Sequence, residues 1–200
     1  MSDYLKTQIE DAKNGDRAAF EVVVRDVQDN VHRLAMRILV NPDDALEATQ
    51  EILITVVTKL STFEGKSAFK TWVYRVAVNY LLNAKKVRDR DPGLSFEVFR
   101  EDLHAGLVAD PAPSGEEDLL LSELRISCTM AMLLCLDLKH RVAYVLGDVL
   151  EFDHTEAADI LSISKANFRQ RLSRARNEVV AFTSAHCGLA TNNAKCSCPR

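Results

Sequence analysis

Seven glycines and five prolines in 200 residues leave few of the breakers that tight turns need, and no stretch alternates apolar with polar residues as a half-buried strand would. That argues against a β-rich fold. No apolar run approaches the length of a bilayer span, and the opening MSDYLKTQIEDAKNGD lacks the basic-then-apolar layout of a secretory leader. A cytoplasmic location without membrane insertion is the expectation. Five cysteines form an odd set: Cys128 and Cys135 sit in an apolar helical stretch, while Cys187, Cys196 and Cys198 crowd the last fourteen residues. This is not a disulfide framework. No Ser-His-Asp set, glycine-rich phosphate loop or internal repeat is apparent.

What is present is helical. Hydrophobic residues make up 47% of the chain, enough for packed cores, and they recur with a 3.6-residue period among good helix formers. The expectation is an all-α protein of two helical domains. Charge is segregated along it. Residues 59–90 carry eight basic side chains against Glu64 and Asp89, whereas 91–123 carry nine acidic ones against Arg100 alone. The acidic stretch also holds Pro92-Gly93, Pro111, Pro113 and Gly115, so it reads as a linker. With a net charge of −4, any attraction to nucleic acid has to be local and salt-dependent.

The most telling stretch is 164–176, SKANFRQRLSRAR, with five basic residues and no acidic one. Phe168, Leu172, Ala175 and Val179 share one helical face; the opposite arc offers Ala166, Asn167, Arg169, Gln170, Ser173 and Arg174, flanked by Lys165, Arg171 and Arg176. Ser164 is a natural N-cap. A short helix over 155–161, with Ser162-Ile163 as the turn, would complete a helix-turn-helix. In that motif the second helix enters the major groove, where Arg suits guanine and Asn or Gln suits adenine.

Upstream, helices are predicted over 4–13, 17–39, 43–60 and 68–88. Asn41-Pro42-Asp43-Asp44 ends one and starts the next, and Glu47, Gln50 and Glu51 continue its polar face. After the loop 61–67, the basic helix mixes Phe69, Trp72, Tyr74, Asn79, Tyr80 and Asn83 with its cations. Aromatic rings beside positive charge are what single-stranded bases need, although Phe69, Trp72 and Val76 also fit a core face.

The stretch ALEATQEILITVVTKLSTFEGKSAFKTWVYRVAVNYLLNAKK resembles region 2 of bacterial RNA polymerase sigma factors of the extracytoplasmic-function class. That family pairs an acidic QE helix, an F-x-G-x-S-x-F loop and a TW-x-Y-R-x-A-x-N helix. HRVAYVLGDVLEFDHTEAADILSISKANFRQRLSRAR is similar to its region 4, the helix-turn-helix that reads the −35 element. The resemblance implies region 2 over 1–90, a flexible acidic linker over 91–117, region 4 over 118–183 and a Cys-rich tail over 184–200. It implies core RNA polymerase (β′ and β subunits) and promoter DNA as partners, an anti-sigma factor as a regulator, and no catalytic group in this chain.

Carried onto matching positions, the resemblance gives Asp44, Glu47, Gln50 and Glu51 to the polymerase clamp. Phe63, Lys66, Phe69, Lys70, Trp72, Arg75, Asn79, Asn83, Lys85 and Lys86 go to the −10 strand and the melted duplex. Lys165, Asn167, Arg169, Gln170, Arg171, Ser173, Arg174 and Arg176 go to the −35 element. The family commonly has Asp at Glu47, Gly at Ser162 and V-K-S-R where Phe168-Arg169-Gln170-Arg171 stands, differences that bear on promoter sequence.

The tail lies beyond that pattern. No cofactor is required, yet His186, Cys187, Cys196 and Cys198 offer thiolate and imidazole donors suited to zinc or copper(I), in a site that senses metal or oxidation. Cys128 and Cys135 read as core thiols. Two other functions compete. A stand-alone helix-turn-helix regulator would leave the basic aromatic helix unexplained. A Mg²⁺ site on Asp43, Asp44, Glu47 and Glu51 would need a second carboxylate helix facing the first.

Overall fold

The structure, a computed structural model, describes residues 3–83, 93–106, 117–192, 194 and 196, and all regular secondary structure among them is helical. The first unit contains α1 (Asp3–Lys13), α2 (Arg17–Leu39), α3 (Pro42–Lys59) with a closing 3₁₀ turn Leu60–Thr62, and α4 (Phe69–Asn83). Asp16 caps α2 by accepting from the Ala19 amide at 3.0 Å, and Asn41 caps α3 by accepting from Asp44 at 3.0 Å, with Pro42 at the first helical position. Val40 ends α2 at φ +54°, its amide bonded to the Met36 carbonyl. Val23, Val27, Val31, Leu34 and Ile38 of α2 are buried against Ala45, Ala48, Ile52 and Val56 of α3 and Val73, Ala77 and Leu81 of α4. Small side chains on α3 let its backbone come close to α2.

The second unit contains α6 (Glu117–Cys135), α7 (Leu138–Tyr144), a wide π-type turn Val145–Val149, α8 (His154–Ile160) and α9 (Lys165–His186). Asp153 caps α8 through the Thr155 amide at 2.7 Å, and Ser164 caps α9 through the Asn167 amide at 3.2 Å. Phe168 and Leu172 of α9 are buried under the π-type turn. A methyl group on Gly147 would fall 2.8 Å from Leu172 Cδ2 and 3.3 Å from Phe168 Cζ, so only glycine lets the turn sit this close.

The linker departs from expectation. Residues 91–117 read as a flexible tether, but Phe96–Gly106 forms helix α5. Phe96 and Phe99 lie three apart on one face, with ring centroids 5.2 and 5.1 Å from Phe182 of α9. Charge and proline dominated that segment's composition; the aromatic spacing inside it is what folds it.

The two units share a continuous buried core. Arg141 of α7 is 2% exposed and donates to four carbonyls: Leu133 at 2.8 Å, Leu134 at 3.2 Å, Leu136 at 3.0 Å, and Ile38 of α2 at 2.8 Å. A buried guanidinium is tolerable only when its donors are satisfied, and here the carbonyl ends of two helices supply the negative field.

Candidate functional site

Helix α9 presents the face its sequence foretold. Phe168, Leu172 and Ala175 are buried; Ala166, Arg169, Gln170, Ser173 and Arg174 are exposed along the outer arc. Ser162 adopts φ +53°, a left-handed position that ordinarily favours glycine, and its amide bonds to the Asp159 carbonyl to close the turn between α8 and α9. Three flanking residues are engaged within the protein. Lys165 Nζ donates to Thr155 Oγ1 at 2.7 Å, and Arg171 Nε to Asn167 Oδ1 at 3.2 Å. Arg176 makes a two-point contact with Asp148, 2.8 Å from Nε to Oδ2 and 2.5 Å from Nη2 to Oδ1, which raises its already high pKa. Arg176, expected at the −35 element, is thus neutralised by Asp148 and holds α9 against the π-type turn.

On α4 the structure sorts the expected nucleic-acid residues into two groups. Phe63 and Phe69 are 5% and 2% exposed, and with Trp72 they form a ring cluster whose centroids are 5.2–5.8 Å apart. As placed, neither Phe63 nor Phe69 can stack on a base; both anchor the loop between α3 and α4. Lys13 of α1 braces that anchor, donating to the Phe63 carbonyl at 2.7 Å with its ammonium 5.4 Å from the ring centroid. Above it lies a cavity of about 420 Å³ lined by Lys6, Ile9, Glu10, Lys13, Phe63, Glu64 and Gly65. The exposed group is Lys66, ion-paired with Glu64, together with Lys70, Asn79 and Asn83, while Trp72 is half-buried. Lys85 and Lys86 lie outside the described residues.

Arg75, expected along the melted duplex, is engaged within the protein in this arrangement. It is bound by the second unit, 2.5 Å from Asp159 Oδ2 and 3.1 Å from the Asp159 carbonyl. Thr71 donates to Glu156 at 2.8 Å beside it, and Tyr74 meets Phe152 edge-to-face at 4.9 Å with Lys70 over both rings. Burial raises the Tyr74 pKa. Helix α8 therefore covers the Thr71–Arg75 side of α4.

Helix α3 shows Glu47, Gln50 and Glu51 exposed and Asp44 half-buried. Sequence reasoning missed Leu46 and Ile54, 53% and 59% exposed, which line up with Gln50 at four-residue steps outside the buried stripe. Their register, one or two positions off that of Ala45, Ala48, Ile52 and Val56, was the available signal. Two apolar side chains amid carboxylates make a surface that can grip a basic partner helix and bury area against it.

The tail is arranged differently from the expected His186, Cys187, Cys196 and Cys198 set. Cys198 lies outside the described residues, and among those described no three His, Cys, Asp or Glu side chains stand together as a metal-holding group. Cys128, read as a core thiol, instead lines a cavity with His186, Cys187 and Cys196. Burial raises its pKa, and the Cys187 and Cys196 thiols add to that in turn. The half-buried Cys135 thiol is pushed up to about 11 by burial. His186 is held below the usual imidazole range by burial, then by His104 and Arg100.

Residues 23–91 match Sigma-70 region 2 and residues 126–179 match Sigma-70 region 4. The chain is 29% identical over 180 residues to ECF RNA polymerase sigma factor SigW of Bacillus subtilis, covering 88% of this chain and 95% of that one. It is 31% identical over 183 residues to the ECF RNA polymerase sigma-E factor of Escherichia coli K12, covering 90% and 95%. Among solved structures, CnrH in complex with the cytosolic domain of CnrY superposes with a TM-score of 0.63 at 20% identity, covering 91% of this chain and 98% of that one. RpoE bound to the anti-sigma factor NepR from Bartonella quintana gives 0.57 at 21%, covering 82% and 96%. At those identities the structures speak to the fold.

Proposed function

The chain belongs to the ECF sigma factors of RNA polymerase, and we propose how its own residues divide the work of starting transcription. It is an alternative sigma factor: it joins core RNA polymerase and directs initiation at specific promoters, through −35 and −10 recognition and DNA melting. The polymerase performs the chemistry; this chain supplies recognition, and a cytoplasmic location follows from that partner.

The observation that carries the assignment is the exposed arc of α9 opposite its buried Phe168–Leu172–Ala175 face. Arg169, Gln170, Ser173 and Arg174 read base edges of the −35 element, with Lys165 and Asn167 near the helix start contacting backbone. Lys66, Lys70, Trp72, Asn79 and Asn83 engage the −10 strand, and the buried Phe63–Phe69 pair holds their loop in shape. Glu47, Gln50 and Glu51, with Leu46 and Ile54 as apolar anchors, dock on the polymerase clamp, and Asp44 supports their helix start. An anti-sigma factor is the natural regulator of such a surface.

The arrangement described here is a closed form. Elements named for positions −35 and −10 lie about 25 base pairs apart, roughly 85 Å at about 3.4 Å per pair. Helix α9 has 22 residues, about 33 Å of rise, and the α8 that precedes it touches α4. Reading both elements at once requires the α4–α8 contact to open, which releases Arg75 toward DNA. The test is run-off transcription with sigma-free core polymerase on a promoter library. Transcripts that depend on this chain and share upstream sequences support the reading. Binding to core without any transcript, from an unoxidised and folded chain, contradicts it.

A further inference from the structure

We propose that the cavity bounded by α5, α6 and the chain following α9 is an oxidisable thiol site, in which a peroxide joins Cys128 of α6 to Cys187 at the end of α9. Three segments distant in sequence bring sulfur to one small space. Cys128, Cys187 and Cys196 all line a cavity of about 110 Å³, together with Leu103 of α5, Arg125, Met132, Phe182 and His186. None of the three is in a disulfide. The walls are largely apolar, and the volume is that of a few water molecules at about 30 Å³ each, so it admits a peroxide.

The donors favour a pair over a metal. An ion needs three or four ligands in reach, and among the described residues no such group stands ready, whereas a disulfide needs two. Access selects the partner. Cys128 and Cys187 are both half-buried, but Cys196 is only 9% exposed, so the peroxide reaches the first two before Cys196. The Cys187 thiolate attacks one peroxide oxygen, the O–O bond breaks, and water leaves with the thiol's proton, giving a sulfenic acid. The Cys128 sulfur then attacks the Cys187 sulfur; the S–O bond breaks and a second water carries off the Cys128 proton. Two thiols and one hydrogen peroxide become one disulfide and two waters. The bond ties the end of the DNA-reading helix to α6, with α5 held beside it through the Phe96 and Phe99 contacts to Phe182. The site does not depend on the promoter assignments above.

The test treats the purified full chain with hydrogen peroxide and maps its peptides by mass without reducing agent. The expected result is a Cys128–Cys187 linked peptide, lost on adding dithiothreitol and absent from Cys128→Ser and Cys187→Ser chains that keep wild-type helicity. A Cys187–Cys196 or Cys196–Cys198 link with Cys128 still open to alkylation overturns the proposal. So does sulfinic acid on separate cysteines, or one equivalent of zinc that copurifies and shields the thiols, which would make this a metal site.

Discussion

Arg141 and Ile38, 103 residues apart, are joined by a 2.8 Å hydrogen bond from a guanidinium that water barely reaches. The same side chain closes the end of α6 and buttresses the end of α2, so it stitches the two helical units at their carbonyl poles. Replacing it with Met should leave four carbonyls short of a donor and lower unfolding stability by about 3–5 kcal/mol. The midpoint of urea denaturation reads this. A change under about 1 kcal/mol would mean that water replaces the guanidinium at little cost.

The Phe63–Phe69–Trp72 cluster and the residues above it should separate under mutation. Phe69→Ala removes a ring with no exposed surface to spare and should cost about 3–5 kcal/mol of stability. Lys66→Ala or Asn79→Ala should leave the thermal midpoint within a degree or two of wild type, yet slow promoter opening measured by 2-aminopurine fluorescence. Normal opening by the Asn79 variant would remove that residue from the melting surface.

Salt dependence distinguishes the cations of α9. If Lys165 contacts a phosphate, Lys165→Ala should weaken holoenzyme binding to all promoters alike and reduce the slope of log K against log salt by about one. Arg169→Ala should instead cost about 1–3 kcal/mol at one base position and relax preference there. Arg176→Ala should act mainly on stability, because Asp148 already occupies its guanidinium.

Acid should loosen α5. His186 packs against His104 at 5.3 Å and has a folded pKa lowered by burial, His104 and Arg100. As pH falls below the unfolded value of about 6.5, the unfolded chain takes up its proton before the folded one does, so this group's support is full above that pH and declines toward the lower folded value. Hydrogen exchange over 96–106, corrected for intrinsic rates, should be faster at pH 5.5 than at 7.5. His186→Gln should flatten the difference.

The closed form rests partly on the pairing of Arg75 with Asp159. Asp159→Asn should raise the open fraction, seen as longer distances between spin labels on α3 and α9, and should strengthen association with core polymerase. Unchanged distances would show that Arg141 and the buried core hold the units together without this pair.

Much of this architecture was legible in the sequence, and the exceptions have physical causes. The end of α2 was readable because Asn41-Pro42 follows it. The outer arc of α9 was readable because Phe168, Leu172 and Ala175 mark the opposite side. Helix α5 was hidden because its acidic residues describe its solvent face, while Phe96 and Phe99 matter only once Phe182 is in place. No local pattern announces that the partners of Arg141 are carbonyls from two distant helices. Arg75 reads in the sequence as one more cation of the basic helix, and no local pattern shows that Asp159, 84 residues later, pairs with it. Cys128 was read from an apolar neighbourhood that turned out to be a cavity wall.

The α4–α8 contact also sets how much of this protein is available at any moment. If the closed form is favoured by about 2 kcal/mol, only about 3% of molecules are open, and the apparent affinity for polymerase falls about 30-fold below that of the open form. Each further 1.4 kcal/mol shifts that discount about tenfold. Thr71, Arg75, Glu156 and Asp159 are therefore control points in competition for a limited pool of core enzyme, although none of them touches DNA in this form. Small changes at these four positions would retune when the chain wins that competition without altering which promoters it reads.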